Sequence, residues 1–151
     1  MAVHWVFGIA IVEGRSMQPI YQKGDILLYQ RRSSGTLDYG DVVVVHFNDQ
    51  TNNSVKRIVG KPGDSIEIDE KGCLTRNGEA INETEVIFGD QEGDHPMSFR
   101  TVVPEGNYFC LGDNRPVSLD SRRLGTVGEK DIAGRVLLQF RVAWGDNYVD
   151  R

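Results

Sequence analysis

The sequence predicts an all-β fold: a coil-rich antiparallel sheet with a barrel-like form and a small inserted lobe or loop. Short runs rich in Val and Ile recur at short intervals, which is typical of strands. Glycine stands at the turns between these runs, as in residues 23–25, 39–41 and 62–64, where a positive φ costs little. No segment keeps the apolar period of a helix over several turns, so helices are expected to be scarce.

Each predicted strand is a short apolar or β-branched run between turn residues. In chain order the predicted strands are Phe7 to Val12, Asp25 to Gln30, Val42 to Phe47, Ser54 to Gly60, Ser65 to Asp69, Cys73 to Arg76, Tyr108 to Leu111 and Ala133 to Val142. The dipeptide Asn77-Gly78 favours a type I′ turn. Residues 73–81 are therefore expected to form a hairpin.

The chain length favours a single domain. A chain of 151 residues is long enough for one substantial core, and residues 1–151 are expected to form one domain. Residues 82–101 break the strand pattern, because Glu and Asp replace apolar residues there. This segment is expected to be a surface excursion, either a small lobe or a loop.

Charge and composition exclude some partners. The net charge is −5 and no basic run is present, so nucleic acid is not an expected partner. Residues 1–12 contain an apolar stretch far shorter than the ~20 residues that span a bilayer, and a short buried strand is the preferred interpretation. Cys73 and Cys110 are too few to indicate a disulfide framework, and whether they pair is left open.

Three short segments carry the chemistry. They are EGRSMQP at residues 13–19, VKRIVGKPGD at residues 55–64, and GDN at residues 112–114 followed by SLDSR at residues 118–122. A serine hydroxyl is a poor nucleophile until a base removes its proton. The segments offer a serine, a lysine that can act as its base, and a polar cluster to hold the lysine. We interpret this combination as a serine-lysine hydrolase.

The sequence favours a lysine over a histidine as the base that activates the serine. His4, His46 and His95 are the histidines of the chain, and none has a recognisable catalytic context. Lys56 lies in a predicted strand that should be partly buried. A free lysine has a pKa near ~10.4, so burial must lower the pKa by about 2 to 3 units, at a cost of about 3 to 4 kcal/mol. A strand lysine alone is more often solvent-facing, and the neighbouring motifs favour the base.

These segments resemble the bacterial type I signal peptidases, and more narrowly their Gram-positive branch. The resemblance runs from about Val12 to Phe140. It includes an S-M-x-P box at residues 16–19, a K-R-[IVA]-[VI]-G-x-P-G-D box at residues 56–64, and a G-D-N-x-x-x-S-x-D-S-R-x-x-G box at residues 112–125. The resemblance implies a serine endopeptidase that removes signal peptides from exported preproteins, without a cofactor or metal.

The resemblance also implies a role for each motif residue. Ser16 would attack the scissile carbonyl, and neutral Lys56 would take its proton, pass it to the leaving amine and later activate the deacylating water. Ser118 would hydrogen-bond the lysine amine and orient it. A carboxylate in that position would instead raise the pKa of the lysine and spoil it as a base.

Four further residues of the third box are expected to support the site. Asp120 and Arg122 would form an ion pair that braces the segment carrying Ser118. Asp113 and Asn114 would shape the turn from which that segment leaves.

The expected oxyanion site lacks one side-chain hydrogen-bond donor. Some family members carry a serine hydroxyl two residues before the nucleophile, where this chain has Gly14. The backbone N–H of Ser16 is then the expected oxyanion donor. Glycine at this position also resembles the Gram-positive branch.

The resemblance assigns substrate pockets as a group. Val12, Met17, Tyr21 and Val55 match positions that line shallow apolar pockets for small residues at P1 and P3. This implies an A-x-A-like cleavage site. Taken alone, each of these residues fits a core position equally well.

The resemblance further implies a membrane setting. Family members carry N-terminal transmembrane anchors, so the full-length protein is expected at the extracytoplasmic face of the bacterial cytoplasmic membrane, and this chain is interpreted as a soluble truncated form. Its expected partners are signal peptides and the phospholipid surface. Trp5, Phe7 and Trp144 would form an apolar surface that rests on lipid.

Two rival functions are kept. Self-cleaving SOS-response repressors share a Ser-Lys dyad and a related β fold, but generally lack the third box that is intact here. Some signal peptidase-like proteins have lost the dyad and act as assembly partners in pilus formation, whereas Ser16 and Lys56 are both present in this chain. Cleavage of a peptide with an A-x-A site separates these alternatives.

Overall fold

The fold consists of two antiparallel sheets and little helix. The structure is a computed structural model, and it describes residues 6–31, 36–48, 50–89 and 98–142. Within these ranges the strands are β1 (Phe7–Ile11), β2 (Ile26–Arg31), β3 (Val42–Val45), β4 (Ser54–Gly60), β5 (Ser65–Ile68), β6 (Leu74–Arg76), β7 (Glu79–Ala80), β8 (Phe99–Val102), β9 (Asn107–Leu111), β10 (Val127–Gly128) and β11 (Ile132–Phe140). A single α-helix, α1 (Ser121–Leu124), and a 3-10 turn at Glu129–Asp131 complete the described elements.

The larger sheet forms a curled wall. Its strand order is β1-β2-β11-β3-β4-β9-β10, and all of its pairings are antiparallel. Strands β1 and β4 are separated in this order by three other strands, yet residues from both line one groove. The sheet must therefore curve back on itself. The predicted all-β, barrel-like fold class is confirmed.

The smaller sheet is inserted between β4 and β9. Its strand order is β7-β6-β5-β8, and the turn at Asn77-Gly78 joins β6 to β7 with φ values of 53° and 83°. The predicted hairpin is thus present. Strand β8 begins within the segment predicted as a surface excursion and ends one residue beyond it. The acidic residues of that segment obscure the short alternating pattern of the strand. Residues 90–97 of that excursion lie outside the described residues.

Strands β4 and β9 separate two apolar cores. Because strand side chains alternate between faces, Ile58 and Cys110 enter one core while Val59 and Phe109 enter the other. The first core contains Leu37, Val43, Val45, Phe47, Ile58, Tyr108, Cys110, Val127 and Ile132. The second contains Val59, Ile66, Ile68, Leu74, Val103, Phe109 and Leu111. The two strands are therefore held rigidly from both sides.

Helix α1 lies within the third motif and was not predicted. The Asp120 side chain accepts a hydrogen bond from the backbone N–H of Arg122 and caps the helix, while Gly125 ends it with a φ of 81°. Four residues are too few to show a helical period, so only the caps mark it in the sequence. No helix among the described residues is long and apolar enough to cross a membrane. Both cysteines are free, Cys73 being exposed and Cys110 buried.

Candidate active site

Ser16 lies in the loop between β1 and β2, and Asn114 fastens this loop to the third motif. The backbone N–H of Asn114 donates to the Ser16 carbonyl at 2.9 Å, and Asn114 Nδ2 donates to the Arg15 carbonyl at 3.2 Å. Asn114 therefore does more than shape its own turn. It holds the two peptide groups on either side of the Ser16 Cα.

Lys56 extends from the middle of β4 towards Ser16. Its Nζ lies 3.0 Å from Ser16 Oγ and 3.1 Å from the carbonyl oxygen of Val55. The residue is only 3% exposed. Burial lowers the pKa of the Lys56 amine, and the nearby charge of Asp120 opposes that shift. The amine is thus buried, its pKa is lowered, and it lies within reach of the serine hydroxyl.

Ser118 does not make its expected hydrogen bond. Ser118 Oγ is buried without a hydrogen-bond partner, whereas the amine of Lys56 is directed at Ser16 and Val55. The hydroxyl instead packs against Gly112, where an added Cβ would lie 2.1 Å from Ser118 Oγ. The same Cβ would lie 2.6 Å from the Ser16 carbonyl oxygen, so Ser118 and the backbone of Ser16 both lie beside Gly112, and the orienting role of Ser118 stays a prediction.

The predicted ion pair between Asp120 and Arg122 is present. Arg122 Nε donates to Asp120 Oδ1 at 2.9 Å, and Arg122 Nη2 donates to Asp120 Oδ2 at 3.0 Å. Asp120 Oδ2 also accepts from the backbone N–H of Gly112 at 3.0 Å, and Arg122 Nη2 donates to the Arg115 carbonyl at 2.8 Å. The pair closes the segment from Gly112 to Arg122 into a loop around Ser118.

Arg57 forms a second ion pair that sequence reasoning missed, in which the aspartate is buried and the arginine half-buried. Arg57 Nε and Nη2 donate to the two oxygens of Asp113 at 2.9 and 2.6 Å. Because neighbouring residues on a strand face opposite sides, Arg57 points away from the side that carries Lys56. The alternation within the second motif could have revealed this partner for Asp113.

Arg115 is a fully buried guanidinium that sequence reasoning also missed. Its Nε donates to the Gly112 carbonyl at 3.0 Å, and its Nη1 donates to the Gly72 carbonyl at 2.5 Å. Its Nη2 pairs with Glu83 Oε1 at 2.6 Å, while Glu83 Oε2 is buried without a partner. Arg115 thereby connects the third motif to the smaller sheet and to the segment that follows β7.

Asp25 anchors the other end of the loop between β1 and β2, called the nucleophile loop here because it carries the predicted nucleophile Ser16. This carboxylate is buried and accepts from Arg141 Nη2 at 2.7 Å and from Gln139 Nε2 at 2.6 Å. Both donor side chains also reach the carbonyl of Ile20 at 3.0 Å. The Arg141 guanidinium lowers the pKa of Asp25 to about 2. The last described residues of the chain thus hold the loop that carries Ser16.

A groove of about 390 Å³ opens beside Ser16. It is lined by Ile9, Ala10, Ile11, Val12, Glu13, Gly14, Ser16, Met17, Tyr29, Val44, Asn52, Asn53, Ser54 and Val55. Val12, Met17 and Val55 line it as a group, as the resemblance implies, but Tyr21 is not among its lining residues. Val12, Met17 and Val55 thus lie together beside Ser16, and their role as substrate pockets stays a prediction.

Gly14 leaves open space at the groove. A Cβ added to Gly14 would meet nothing within 4 Å, and its φ is not in the left-handed region. Gly14 thus has room for a side chain, and the place of the oxyanion site beside it stays a prediction. Within the described residues, no group of three His, Cys, Asp or Glu is arranged to hold a metal ion.

The fold and this site together have the character of a serine endopeptidase. The family described as "Signal peptidase, peptidase S26" matches residues 1–142. The chain therefore belongs to the signal peptidase S26 family. The predicted activity, removal of signal peptides by a serine endopeptidase, is confirmed.

Several curated relatives carry the same kind of name. Signal peptidase I of Bacillus amyloliquefaciens is 34% identical over 140 residues, which cover 87% of this chain and 72% of that protein. Signal peptidase I of Bacillus caldolyticus is 35% identical over 148 residues, covering 90% and 80%. Signal peptidase IB of Staphylococcus aureus (strain Mu50) is 34% identical over 150 residues, covering 85% and 75%. These sources confirm the predicted Gram-positive branch.

One solved structure is also similar. A crystal structure of a signal peptidase I from Enterococcus faecalis V583 has a TM-score of 0.56 and 29% sequence identity to this chain. The likeness covers 70% of this chain and 100% of that one.

Proposed function

We propose that Ser16 is the nucleophile and Lys56 the general base of this signal peptidase. The observation that carries the proposal is the 3.0 Å separation of Lys56 Nζ and Ser16 Oγ. Since burial lowers the pKa of the lysine, the amine can accept the serine proton and then protonate the leaving amine. The acyl-enzyme is hydrolysed by a water that the same amine activates.

The surrounding residues have supporting roles in this proposal. The backbone N–H of Ser16 donates to the oxyanion, and Ser118 orients the lysine amine when substrate binds. Asp113 and Asn114 shape the turn of the third motif. Asp120 with Arg122 keeps Ser118 beside Lys56, as their hydrogen bonds to the same loop support.

The substrate lies along the groove as an extended chain. Strand β1 pairs only with β2 among the described strands, so its other edge is open to a peptide. Val12, Met17 and Val55 then accept small side chains at P1 and P3, which fits cleavage after an A-x-A-like site. Tyr21 supports the loop rather than the pocket.

The membrane surface is part of the proposed setting. Ile9 and Ile11 on the exposed face of β1 are 71% and 63% exposed, and Leu138 and Phe140 on β11 are about half exposed. Phe7 belongs to the same face, while Trp5 and Trp144 lie outside the described residues. Such an apolar surface fits contact with phospholipid at the extracytoplasmic face of the cytoplasmic membrane. Residues 1–151 are proposed to act as one catalytic domain, which the connection through Arg115 supports.

The test is cleavage of a peptide with an A-x-A site in the presence of detergent or lipid. Ser16→Ala and Lys56→Ala are expected to lose at least about a thousand-fold in kcat/KM with the fold retained, and Ser118→Ala to lose less. Lys61→Ala, which removes a half-buried lysine of the same motif that pairs with Asp38, serves as the matched control and should keep full activity. Retained activity in Lys56→Ala would contradict the mechanism.

The pH profile provides a second readout. The rate depends on neutral Lys56, so it should rise with pH through the pKa of that amine. Because burial lowers this pKa, the rise should begin below the pH at which a free lysine loses its proton. No cleavage by folded wild-type protein under any condition would instead favour the rival assembly-partner function.

A further inference from the structure

Glu13 is the one charged residue among the described residues that line the groove. All other lining side chains are apolar or neutral and polar. Glu13 is exposed, and no ion pair joins it to another residue in the described ranges. A single uncompensated carboxylate therefore lies three positions before the serine, at the mouth of the groove.

The alternation of β1 gives Glu13 a definite face. Gly8 and Val12 are buried, whereas Ile9 and Ile11 are exposed. Glu13 follows in the same alternation and is exposed like Ile9 and Ile11. Its side chain thus continues the outer face of the strand, and Val12 continues the inner face over the pockets.

A peptide paired with the open edge of β1 shares this alternation. Side chains directly opposite one another in paired strands lie on the same face of the sheet. Residues P1 and P3 face the inner side, where Val12 and Met17 accept them. The residue between them, the middle position of the A-x-A site, must then point to the outer face that carries Glu13.

We propose that Glu13 selects a basic side chain, Lys or Arg, at the middle position of the A-x-A site. The inference rests on the proposed function, because it requires a peptide that lies along β1 with its scissile bond at Ser16. A lysine or arginine side chain is long enough to bring its charge to the carboxylate from the adjacent strand. An acidic residue at that position would be repelled, and the effect should weaken with salt.

The experiment compares three peptides that differ only at the middle position of the site, which is Lys, Gln or Glu. Wild-type protein is expected to cleave the Lys peptide about three-fold faster in kcat/KM than the Gln peptide, and the Glu peptide about three-fold slower, as for an exposed ion pair. Glu13→Gln should remove both differences, and Glu13→Lys should reverse them. High salt should reduce them in the wild type.

Glu70→Gln is the matched control, because it removes an equal and exposed charge from the turn between β5 and β6, which does not line the groove. It should keep the wild-type order of the three peptides. Equal cleavage of the three peptides by the wild type, or an unchanged order in Glu13→Gln, would contradict the inference while leaving the proposed function intact. Failure to cleave any of the three would contradict both.

Discussion

At the scale of single residues, the proposed dyad depends on removing water from around one amine. Lys56 is buried in a strand whose neighbours enter apolar cores, so its neutral form is favoured. Cys110 is close enough to affect it, but burial raises the pKa of this thiol to about 12, so it stays neutral at working pH. The lysine therefore faces little competing negative charge on its own strand pair.

Gly14 allows a direct test of the oxyanion site. Gly14→Ser would place a hydroxyl where an added Cβ has open space, and a donor at that position should raise kcat by about ten-fold. The matched control is Gly14→Ala, which adds the same bulk without the donor and should not raise kcat. The measurement is kcat and KM for an A-x-A peptide. Equal kcat in the two variants would show that the hydroxyl does not reach the oxyanion.

At the scale of elements, the sequence predicted the strands well because their signal is local. Strand β4 was predicted with its observed ends, since β-branched residues and a glycine mark it. Strand β8 was missed because Phe99 and Thr101 are the only inward positions in an acidic surrounding. Strand β10 has two residues, and no pattern of period two can be seen in so short a segment.

The site was predictable to the extent that its residues lie in compact motifs. Ser16, Lys56 and the Asp120–Arg122 pair each lie within one short segment. Asp25 and Arg141 are 116 residues apart, and nothing local to either residue indicates the other. The packing that holds the nucleophile loop therefore could not be predicted from the motifs.

The contact between β11 and the nucleophile loop should contribute stability that depends on pH. The pKa of Asp25 is about 2 when folded and near 3.8 when unfolded, so the carboxylate stabilises the fold by about 2 kcal/mol above pH 4. This contribution is lost as pH falls from about 4 to about 2. Arg141→Gln should therefore lower the free energy of unfolding by about 1 to 2 kcal/mol at pH 7, and by much less near pH 2.

Urea denaturation across this pH range measures the effect. Arg135→Gln is the control, because Arg135 and Asp41 are 3.7 Å apart and partly exposed. Its effect should stay below about 1 kcal/mol. A difference between wild type and Arg141→Gln that does not change with pH would contradict the assigned role of Asp25.

At the scale of the whole molecule, Arg115 joins the smaller sheet to the site. It spans from the Gly112 carbonyl to the Gly72 carbonyl in the turn between β5 and β6, and its side chain is 0% exposed. Unfolding of one sheet alone would part this buried charge from its partners, which is costly. The two sheets should therefore unfold together rather than separately.

Arg115→Met should lower the free energy of unfolding by about 3 to 5 kcal/mol, since it leaves Glu83 buried without a counter-charge. Adding Glu83→Leu should recover part of this loss. Denaturant unfolding followed by far-ultraviolet circular dichroism and by tyrosine fluorescence measures both. The control is Arg100→Met. The ion pair of Arg100 with Glu67 is largely exposed, so this substitution should change the free energy of unfolding by less than about 1 kcal/mol.

Coincident transitions from the two probes in the wild type would support a single domain. A loss in Arg115→Met no larger than that in Arg100→Met would contradict the connecting role of the buried guanidinium.

The fastening of the nucleophile loop also bears on when the protein becomes active during its synthesis. Asn114 reaches Arg15 across 99 positions, and Gln139 and Arg141 reach Ile20 across 119 and 121. Closing such long loops is slow, and ribosomes release the chain from its N-terminus. The serine leaves the ribosome before the residues that hold its loop, since these lie about a hundred positions further along the chain. A nascent chain that has not yet reached Arg141 therefore lacks the contacts that fasten the Ser16 loop, so catalytic competence should come only after that residue is made.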